Sequence, residues 1–391
     1  MAACAMVLTG WFRGVKRNVK NVRAVVVSPA KPGSLGDQAM VDVLVTQAST
    51  LFGRPPTILP FAYRTRSAAK GIDFNDGIQN RIRVLHEIMR AHHLLVVGAD
   101  MLDGHYGKDG IGRRLALARL AHAFGAKVRV VGCSFSTNPD FETVELLKKM
   151  PWLDILARDP VSQRRMRTAL GRDIQLVADV AFLLEPALEA AHGRSAADWI
   201  AQQRLADRLV FAVNVSGLVF KKLPEGTLEN FADVVANHLA REANVAVMVV
   251  PHDWRPGQEG DLDACRQLHA VLSKRGEVES HLLEKPVQAW EMKAIAGLVD
   301  AALLCRMHFA IACLGQGVPT YCLVSAGKFD GLMQHFNLSG NLFNPAELTE
   351  RAAMRAAAEH MLTHWQADAQ KVKEALPNVI TLSKSNFNDL V

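Results

Sequence analysis

The sequence predicts an α/β protein made of two doubly wound, Rossmann-like domains that face each other across a cleft. From residue 22 onward, short apolar runs alternate with segments of helical periodicity, the pattern of parallel sheets covered by helices. The alternation is interrupted once, by an Ala-rich stretch at 183–204, and then resumes. With 391 residues and 49% hydrophobic side chains, the chain is long enough to form two cores of ordinary size.

The interruption sets the expected domain boundaries. It contains the helix-breaking pairs Glu185-Pro186 and His192-Gly193, which favour a linker. We expect an N-terminal Rossmann-like domain at 1–185 and a C-terminal one at 205–347. The remaining 348–391 is patterned as surface helix, and we expect this tail to pack back on the N-terminal domain.

Composition narrows the classes of partner. A formal charge of +6 favours anionic partners such as a phosphorylated substrate, an acidic polysaccharide or an anionic membrane surface. Nucleic acid is not expected, because the chain has neither a basic recognition helix nor an aromatic-rich basic strand. The six cysteines are scattered without C-x-x-C spacing, which is typical of reduced thiols in a cytoplasmic protein and argues against zinc or disulfides.

The N-terminus has two interpretations. An apolar start at Met1–Leu8 precedes Trp11, Phe12 and a series of basic residues, the reverse of the order in a secretory signal. A basic segment with two aromatic residues is suited to an anionic membrane surface, and the alternative is a frayed, solvated terminus.

Two loops of the N-terminal domain carry more chemistry than packing requires. In the loop at 28–37, Gly33 and Gly36 allow close approach of the backbone to a ligand, while Asp37 either caps a helix or reaches a substrate hydroxyl. The buried strand predicted at 94–97 runs into Asp100 and Asp103, which lie between glycines. Neither dinucleotide-binding nor phosphate-loop glycine motifs occur there, so a nucleotide cofactor is not expected.

The most informative stretch of the C-terminal domain is 303–330. Arg306 and His308 fall where a buried strand ends and a short helix begins, and the next predicted strand leads to Lys328. Two cations and one imidazole at neighbouring strand ends predict a site for a small anion. The alternative is that each residue caps a carbonyl or completes a core. Further candidates at strand ends are Arg158, Asn214, Ser216, His252 and Asp253.

Together these residues resemble the polysaccharide pyruvyl transferase family, over roughly Val25 to Leu338. The marks of the resemblance are Gly36-Asp37, Gly98 with the acidic loop after it, Arg158-Asp159 with Ser162, Ala178-Asp179-Val180-Ala181-Phe182, and Arg306-Met307-His308 with Gly317-Val318-Pro319 and Lys328. One departure concerns the acceptor side, because many members have a run of glycines where this chain has Gly98-Ala99-Asp100.

The resemblance implies a glycosyltransferase-B-like fold, with the acceptor on the N-terminal domain and the donor on the C-terminal one. It implies transfer of pyruvate from phosphoenolpyruvate to two hydroxyls of a sugar, as a ketal, with release of phosphate. The acceptor would be a glycan or a lipid-linked precursor. Such an enzyme would belong to exopolysaccharide biosynthesis and the cell envelope, in the cytoplasm at the inner face of the membrane.

The resemblance also implies roles for individual residues. Arg158 would bind the donor carboxylate or phosphate, Lys328 the phosphate, and Arg306 either group. His308 would protonate the methylene carbon, and Asp103 or Asp100 would orient or deprotonate the sugar hydroxyl. Neither a metal nor a cofactor is expected, since fixed cations would carry the charge and phosphoenolpyruvate is a co-substrate.

Two alternatives fit the same fold. One is a nucleotide-sugar glycosyltransferase in which Arg306 and Lys328 hold a diphosphate and Asp103 is the base. The other is a non-enzymatic protein, a degenerate member that binds an anionic glycan or acts as a scaffold.

Overall fold

The structure, a computed structural model, describes residues 22–104, 107–235, 238, 244–257, 260–275, 278–324, 327, 329–346 and 349–390. It divides the chain into two compact units. Unit 1 contains residues as far as Pro32, Met40–Val180 and the end of the chain from Leu382. Unit 2 contains Gly33–Ala39 and Ala181–Thr381.

Unit 1 is built on a parallel seven-stranded sheet of order β3-β2-β1-β4-β5-β6-β7. Its strands are β1 Ala24–Val27, β2 Thr57–Leu59, β3 Lys70–Gly71, β4 His93–Ala99, β5 Lys127–Cys133, β6 Asp154–Ala157 and β7 Gln175–Leu176. The central strands are buried on both faces, as expected for a parallel sheet between two helical layers.

The helices of unit 1 connect these strands in the right order for a doubly wound fold. They are α1 Leu35–Phe52, which starts in unit 2, α2 Gly77–Arg90, α3 Lys108–Ala123, α4 Phe141–Lys148 and α5 Pro160–Leu170. Aliphatic side chains of β4 and β5 form the centre of the core together with residues such as Ile88 on α2 and Leu115 on α3. Asp159 caps α5 by accepting the Ser162 N–H at 2.7 Å, and Gly171 ends it in a left-handed conformation.

Unit 2 repeats the plan with a parallel six-stranded sheet of order β10-β9-β8-β11-β12-β13. The strands are β8 Leu209–Asn214, β9 Val245–Val249, β10 Ser280–Leu282, β11 Ala301–Leu304, β12 Thr320–Leu323 and β13 Leu342–Phe343. The helices are α6 Ala191–Leu205, α7 Gly217–Phe220, α8 Thr227–Val234, α9 Leu262–Arg275, α10 Ala289–Ala296, α11 Met307–Leu314, α12 Asp330–Gln334 and α13 Arg351–Lys384. The stretch expected as a linker therefore contains helix α6.

The long helix α13 packs on unit 2, whereas the tail was expected on the first domain. Met354 and Met361 are buried in the core of unit 2. Farther along, the buried Asp368 carboxylate accepts hydrogen bonds from the Tyr321 hydroxyl and the Asn341 amide, both at 2.9 Å. Only the segment from Leu382 onward belongs to unit 1.

The segment Gly33–Ala39 carries the loop after β1 into unit 2. Ser34 pairs with Asp253 in an antiparallel bridge, and the Leu35 N–H donates to the His252 carbonyl at 3.2 Å. Helix α1 starts at Leu35, earlier than the sequence suggested, and Asp37 lies in its first turn rather than at its cap. The reason is that the Ser34 hydroxyl accepts the Asp37 N–H at 3.4 Å, so Ser34 acts as the capping residue.

Within the described part of the chain, the cysteines are free and buried. They are Cys133 in unit 1 and Cys265, Cys305, Cys313 and Cys322 in unit 2. Burial raises the pKa of every one of these thiols. The same residues contain no cluster of three or more metal-ligating side chains, and none of their helices has the length and apolar character of a membrane span.

Candidate active site

The candidate residues of unit 2 follow the carboxyl ends of its strands on both sides of the point where the strand order reverses. Strand β8 ends at Asn214, β9 is followed by His252 and Asp253, and β11 is followed by Arg306 and His308. Strands β8 and β11 are neighbours and continue the chain in opposite directions across the sheet. Open α/β sheets bind ligands at this position, and the assignment of these residues to a ligand stays a prediction.

Asp261 is the centre of the polar cluster in unit 2. Its side chain is fully buried, and Oδ2 accepts hydrogen bonds at 3.1 Å from the Asn214 amide and from the backbone N–H groups of His252 and Asp253. Its Oδ1 accepts from Arg306 Nε at 2.9 Å and lies 2.7 Å from Nη2. The carboxylate therefore ties the loops that follow β8, β9 and β11 to one another.

Two arginines and two carboxylates balance their charges in this cluster. The Arg255 guanidinium binds Asp253, with Nε 2.9 Å from Oδ1 and Nη2 2.5 Å from Oδ2, and Arg306 Nη1 lies 3.6 Å from the same carboxylate. Burial would raise the pKa of Asp253, but Arg255 and Arg306 together hold that pKa below its ordinary value. Arg306 keeps a side-chain exposure of 18%, so its outer edge is open to solvent.

His308 lies in the first turn of α11, against the first turn of α1. A Cβ atom on Gly36 would lie 2.3 Å from His308 Cγ and Nδ1, so only glycine allows this approach. His308 as a residue is half-buried, with its Nε2 atom buried, and Asp37 beside Gly36 is half-buried as well. Helix N-termini present N–H groups that favour anions, and here two of them meet beside one imidazole.

His252 is a neutral companion of His308. Its side chain is buried, and its ring lies 5.5 Å from that of Phe309. Burial first, and then the nearby His308 and Arg306, lower the pKa of His252 to about 3. The ring is therefore uncharged at neutral pH. Ser216, another candidate, is buried at the start of α7, where its backbone N–H faces the Cys305 thiol.

In unit 1, Arg158 is buried in an ion pair. Its Nη1 lies 2.8 Å from Asp179 Oδ2, both side chains are 3% exposed, and its Nε donates to the Ser134 hydroxyl at 2.7 Å. Burial alone would lower the pKa of Arg158, but Asp179, Asp100 and Asp159 raise it. These contacts give Arg158 a structural role, and its assignment to the donor stays a prediction.

The two carboxylates of the acidic loop after β4 differ in burial. Asp103 is buried, and its Oδ2 accepts the Ser136 N–H at 2.6 Å. Asp100 is half-buried and acts on Arg158 through its charge. Ala99, which precedes it, has a left-handed φ of 47°, a conformation that favours glycine. The assignment of either carboxylate as the base stays a prediction.

The motif Ala178–Phe182 follows the last strand of unit 1 and runs into a turn. Strand β7 ends at Leu176, and residues Val180–Leu183 form a 3-10 turn. The carbonyl groups of the motif accept hydrogen bonds from side chains rather than from a neighbouring strand. The Asn386 amide donates to Ala178 O and the Ser383 hydroxyl to Asp179 O, both at 2.8 Å. In unit 2, the buried Lys293 ammonium donates to Phe182 O at 2.8 Å.

The sequence did not indicate two residues of the cluster in unit 2, Asp261 and Arg255. Asp261 precedes a helix and resembles an ordinary cap, while Arg255 lies in a loop of mixed composition. A possible signal was the pairing of Asp253 and Arg255 two residues apart. Lys328, which the sequence assigned to the donor phosphate, and the N-terminal segment lie outside the described residues.

Solved structures define the class of fold. A Listeria monocytogenes protein assigned as a UDP-N-acetylglucosamine 2-epimerase is 13% identical, with a TM-score of 0.60 over 95% of this chain and 98% of the other. Staphylococcus aureus MnaA in complex with UDP is 10% identical, with a TM-score of 0.56 over 94% and 97%. The Neisseria meningitidis UDP-GlcNAc 2-epimerase bound to UDP-GlcNAc is 10% identical, with a TM-score of 0.53 over 93% and 98%. The chain has the glycosyltransferase-B-like, Rossmann-like α/β fold.

The family follows from the sequence match. The polysaccharide pyruvyl transferase model matches residues 35–326, so the chain belongs to that family. Membership indicates a transferase-type enzyme. No curated protein matches the sequence closely enough to add a particular substrate.

Proposed function

We propose that this protein transfers pyruvate from phosphoenolpyruvate to two hydroxyls of a sugar, in a glycan or a lipid-linked precursor, and releases phosphate. The observation that carries the proposal is the position of His308 in unit 2, against Gly36 at the start of α1 and two residues after Arg306. Membership of the pyruvyl transferase family supports the reaction class.

The cluster in unit 2 is suited to an anion mainly through its geometry. Arg306 and Arg255 are each paired with a carboxylate, so they contribute oriented N–H groups and no surplus charge. The positive dipole ends of α1 and α11 favour an anion, and Lys328, assigned from the sequence, adds a cation. Phosphoenolpyruvate carries a carboxylate and a phosphate on one carbon, so it offers acceptors to several such donors at once.

The chemistry then needs one acid and acceptance of two hydroxyl protons. His308 in its protonated form gives a proton to the methylene carbon, which becomes a methyl group, and the central carbon becomes electrophilic. One sugar hydroxyl adds to that carbon, the C–O bond to phosphate breaks, and the second hydroxyl closes the ketal. One hydroxyl proton restores His308, and the other leaves with phosphate or solvent.

Ligand protection tests the donor. We expect phosphoenolpyruvate to raise the melting temperature in proportion to the logarithm of its concentration, with a smaller effect from inorganic phosphate. UDP-GlcNAc is the matched comparison, because a nucleotide-sugar glycosyltransferase is the alternative on this fold. Protection by UDP-GlcNAc and none by phosphoenolpyruvate would contradict the proposal.

Phosphate release tests turnover. Purified protein is incubated with phosphoenolpyruvate and a panel of sugar acceptors, and the product is examined by mass spectrometry for the added pyruvate ketal. Acceptor-dependent phosphate release together with that mass is the expected result. Donor protection without turnover on any acceptor would favour the non-enzymatic, glycan-binding alternative.

A further inference from the structure

Helix α2 in unit 1 exposes an apolar stripe. Ile78, Ile82 and Leu85 are 67%, 60% and 44% exposed, and the half-buried Met89 continues the row. Their spacing of four, three and four residues places all of them on one side of the helix. The helix is anchored in the core by other positions, chiefly Val84 and Ile88, so the stripe is not needed for folding of unit 1.

Arginines share helix α2 with the stripe, and Arg81 lies beside it. Arg81, Arg83 and Arg90 are exposed on the same helix, and the helix contains one acidic residue, Glu87. Glu87 is half-buried, and its carboxylate accepts the Thr57 hydroxyl at 3.3 Å. A helix with an exposed isoleucine and leucine stripe, three exposed arginines and one half-buried carboxylate is complementary to an anionic surface with an apolar layer beneath it.

The first described residues of the chain lie beside the last turn of α2. The Arg23 carbonyl accepts N–H groups of His92 and His93, directly after the last turn of α2, at 2.8 and 3.2 Å. Arg23 also lies near Arg90 and Arg54, which contribute, after burial, to a lowered pKa of Arg23. The sequence before this point contains Trp11, Phe12 and four further basic residues.

We propose that the stripe on α2 docks on an anionic membrane surface, with its isoleucines and leucine in the headgroup region and its arginines on lipid phosphates. The proposal is independent of the function proposed above. It concerns helix α2, which is distinct from the basic N-terminal segment.

The test measures co-sedimentation of the full-length protein with vesicles. We expect binding to vesicles of phosphatidylglycerol and phosphatidylcholine, at least about tenfold weaker binding to phosphatidylcholine alone, and weaker binding at high salt. Ile82→Asp should lower the affinity for the anionic vesicles about tenfold or more, because it places a carboxylate in the centre of the stripe. Phe141→Asp is the matched control, since Phe141 is 75% exposed in unit 1 on another helix.

A thermal melt of each variant checks folding, and Ile78→Ser with Leu85→Ser replaces Ile82→Asp if that variant melts early. Equal vesicle binding by the wild type and the stripe variants would overturn the proposal, as would no binding by the wild type. Analytical ultracentrifugation tests the alternative that a second copy of the chain binds the stripe. A dimer that Ile82→Asp dissociates, without vesicle binding, would assign the stripe to a second copy of the chain and overturn the membrane proposal.

Discussion

His308 is the single residue on which the proposed chemistry depends. We expect His308→Ala to lower kcat by about 10²–10⁴-fold, the usual contribution of a general acid, with a much smaller change in donor affinity. The measurements are kcat, protection by phosphoenolpyruvate, and a thermal melt of the purified variant. A variant that melts early but turns over normally at low temperature would show that His308 is a packing residue.

Gly36 tests the position of the imidazole without removing it. In Gly36→Ala the added methyl group would lie 2.3 Å from the His308 ring, so the ring or the start of α1 must move. Because small displacements of a reacting group are costly, we expect kcat to fall roughly 10–100-fold. Gly340→Ala is the control, since a Cβ at Gly340 meets no atom within 4 Å. Equal activity of the two variants would contradict the assignment.

The buried His252 should make the free energy of unfolding depend on pH. Its pKa is about 3 in the folded protein and 6.5 as the ordinary value, so between these limits the unfolded chain binds a proton that the folded chain does not. The contribution of His252 to stability is complete above pH 6.5 and is lost as the pH falls toward 3. From pH 5.5 to 4.5, the wild type should lose about 1.4 kcal/mol more than His252→Asn. Urea unfolding at both pH values measures this difference, and parallel losses would refute it.

At the scale of elements, one buried carboxylate of α13, Asp368, binds side chains beside the sheet of unit 2. Asp368→Ala would leave the Tyr321 hydroxyl without its buried acceptor, and the Asn341 amide with the Thr320 carbonyl alone. We expect a loss of about 2–4 kcal/mol in the free energy of unfolding. Glu374→Ala on the same helix is the control, because Glu374 is exposed and its carboxylate accepts a hydrogen bond from the exposed Gln370 amide. Similar melting of the two variants would show that apolar packing alone holds α13.

The elements that the sequence predicted well are those whose residues decide their own structure. Uninterrupted apolar runs such as His93–Ala99 form buried strands because no other environment suits them. Long-range contacts were not predictable in this way. The role of Asp261 depends on loops at Asn214 and Arg306, 47 and 45 residues away, and nothing near Asp261 in the sequence marks it. Helix α1 starts earlier than predicted because Ser34 rather than Asp37 supplies the capping oxygen.

At the scale of the whole molecule, neither unit is a continuous piece of chain. Unit 1 takes its last segment from Leu382 onward, where Ser383 and Asn386 bind the carbonyls of Asp179 and Ala178. A fragment that ends at Val180 would leave these buried carbonyls without donors. We expect this fragment to unfold at lower urea than one in which a Gly/Ser linker joins residues 382–391 to Val180. Equal urea midpoints would show that the terminal segment is dispensable.

The buried cysteines give this molecule its own reporters of opening. A thiol that is inaccessible and has a raised pKa reacts with a maleimide only after the structure around it opens, so the rate of modification measures that opening. Cys133 would report on unit 1, and Cys265, Cys305, Cys313 and Cys322 on unit 2. Peptide mapping after graded exposure to the maleimide would thus record the opening of each sheet separately, without an engineered cysteine.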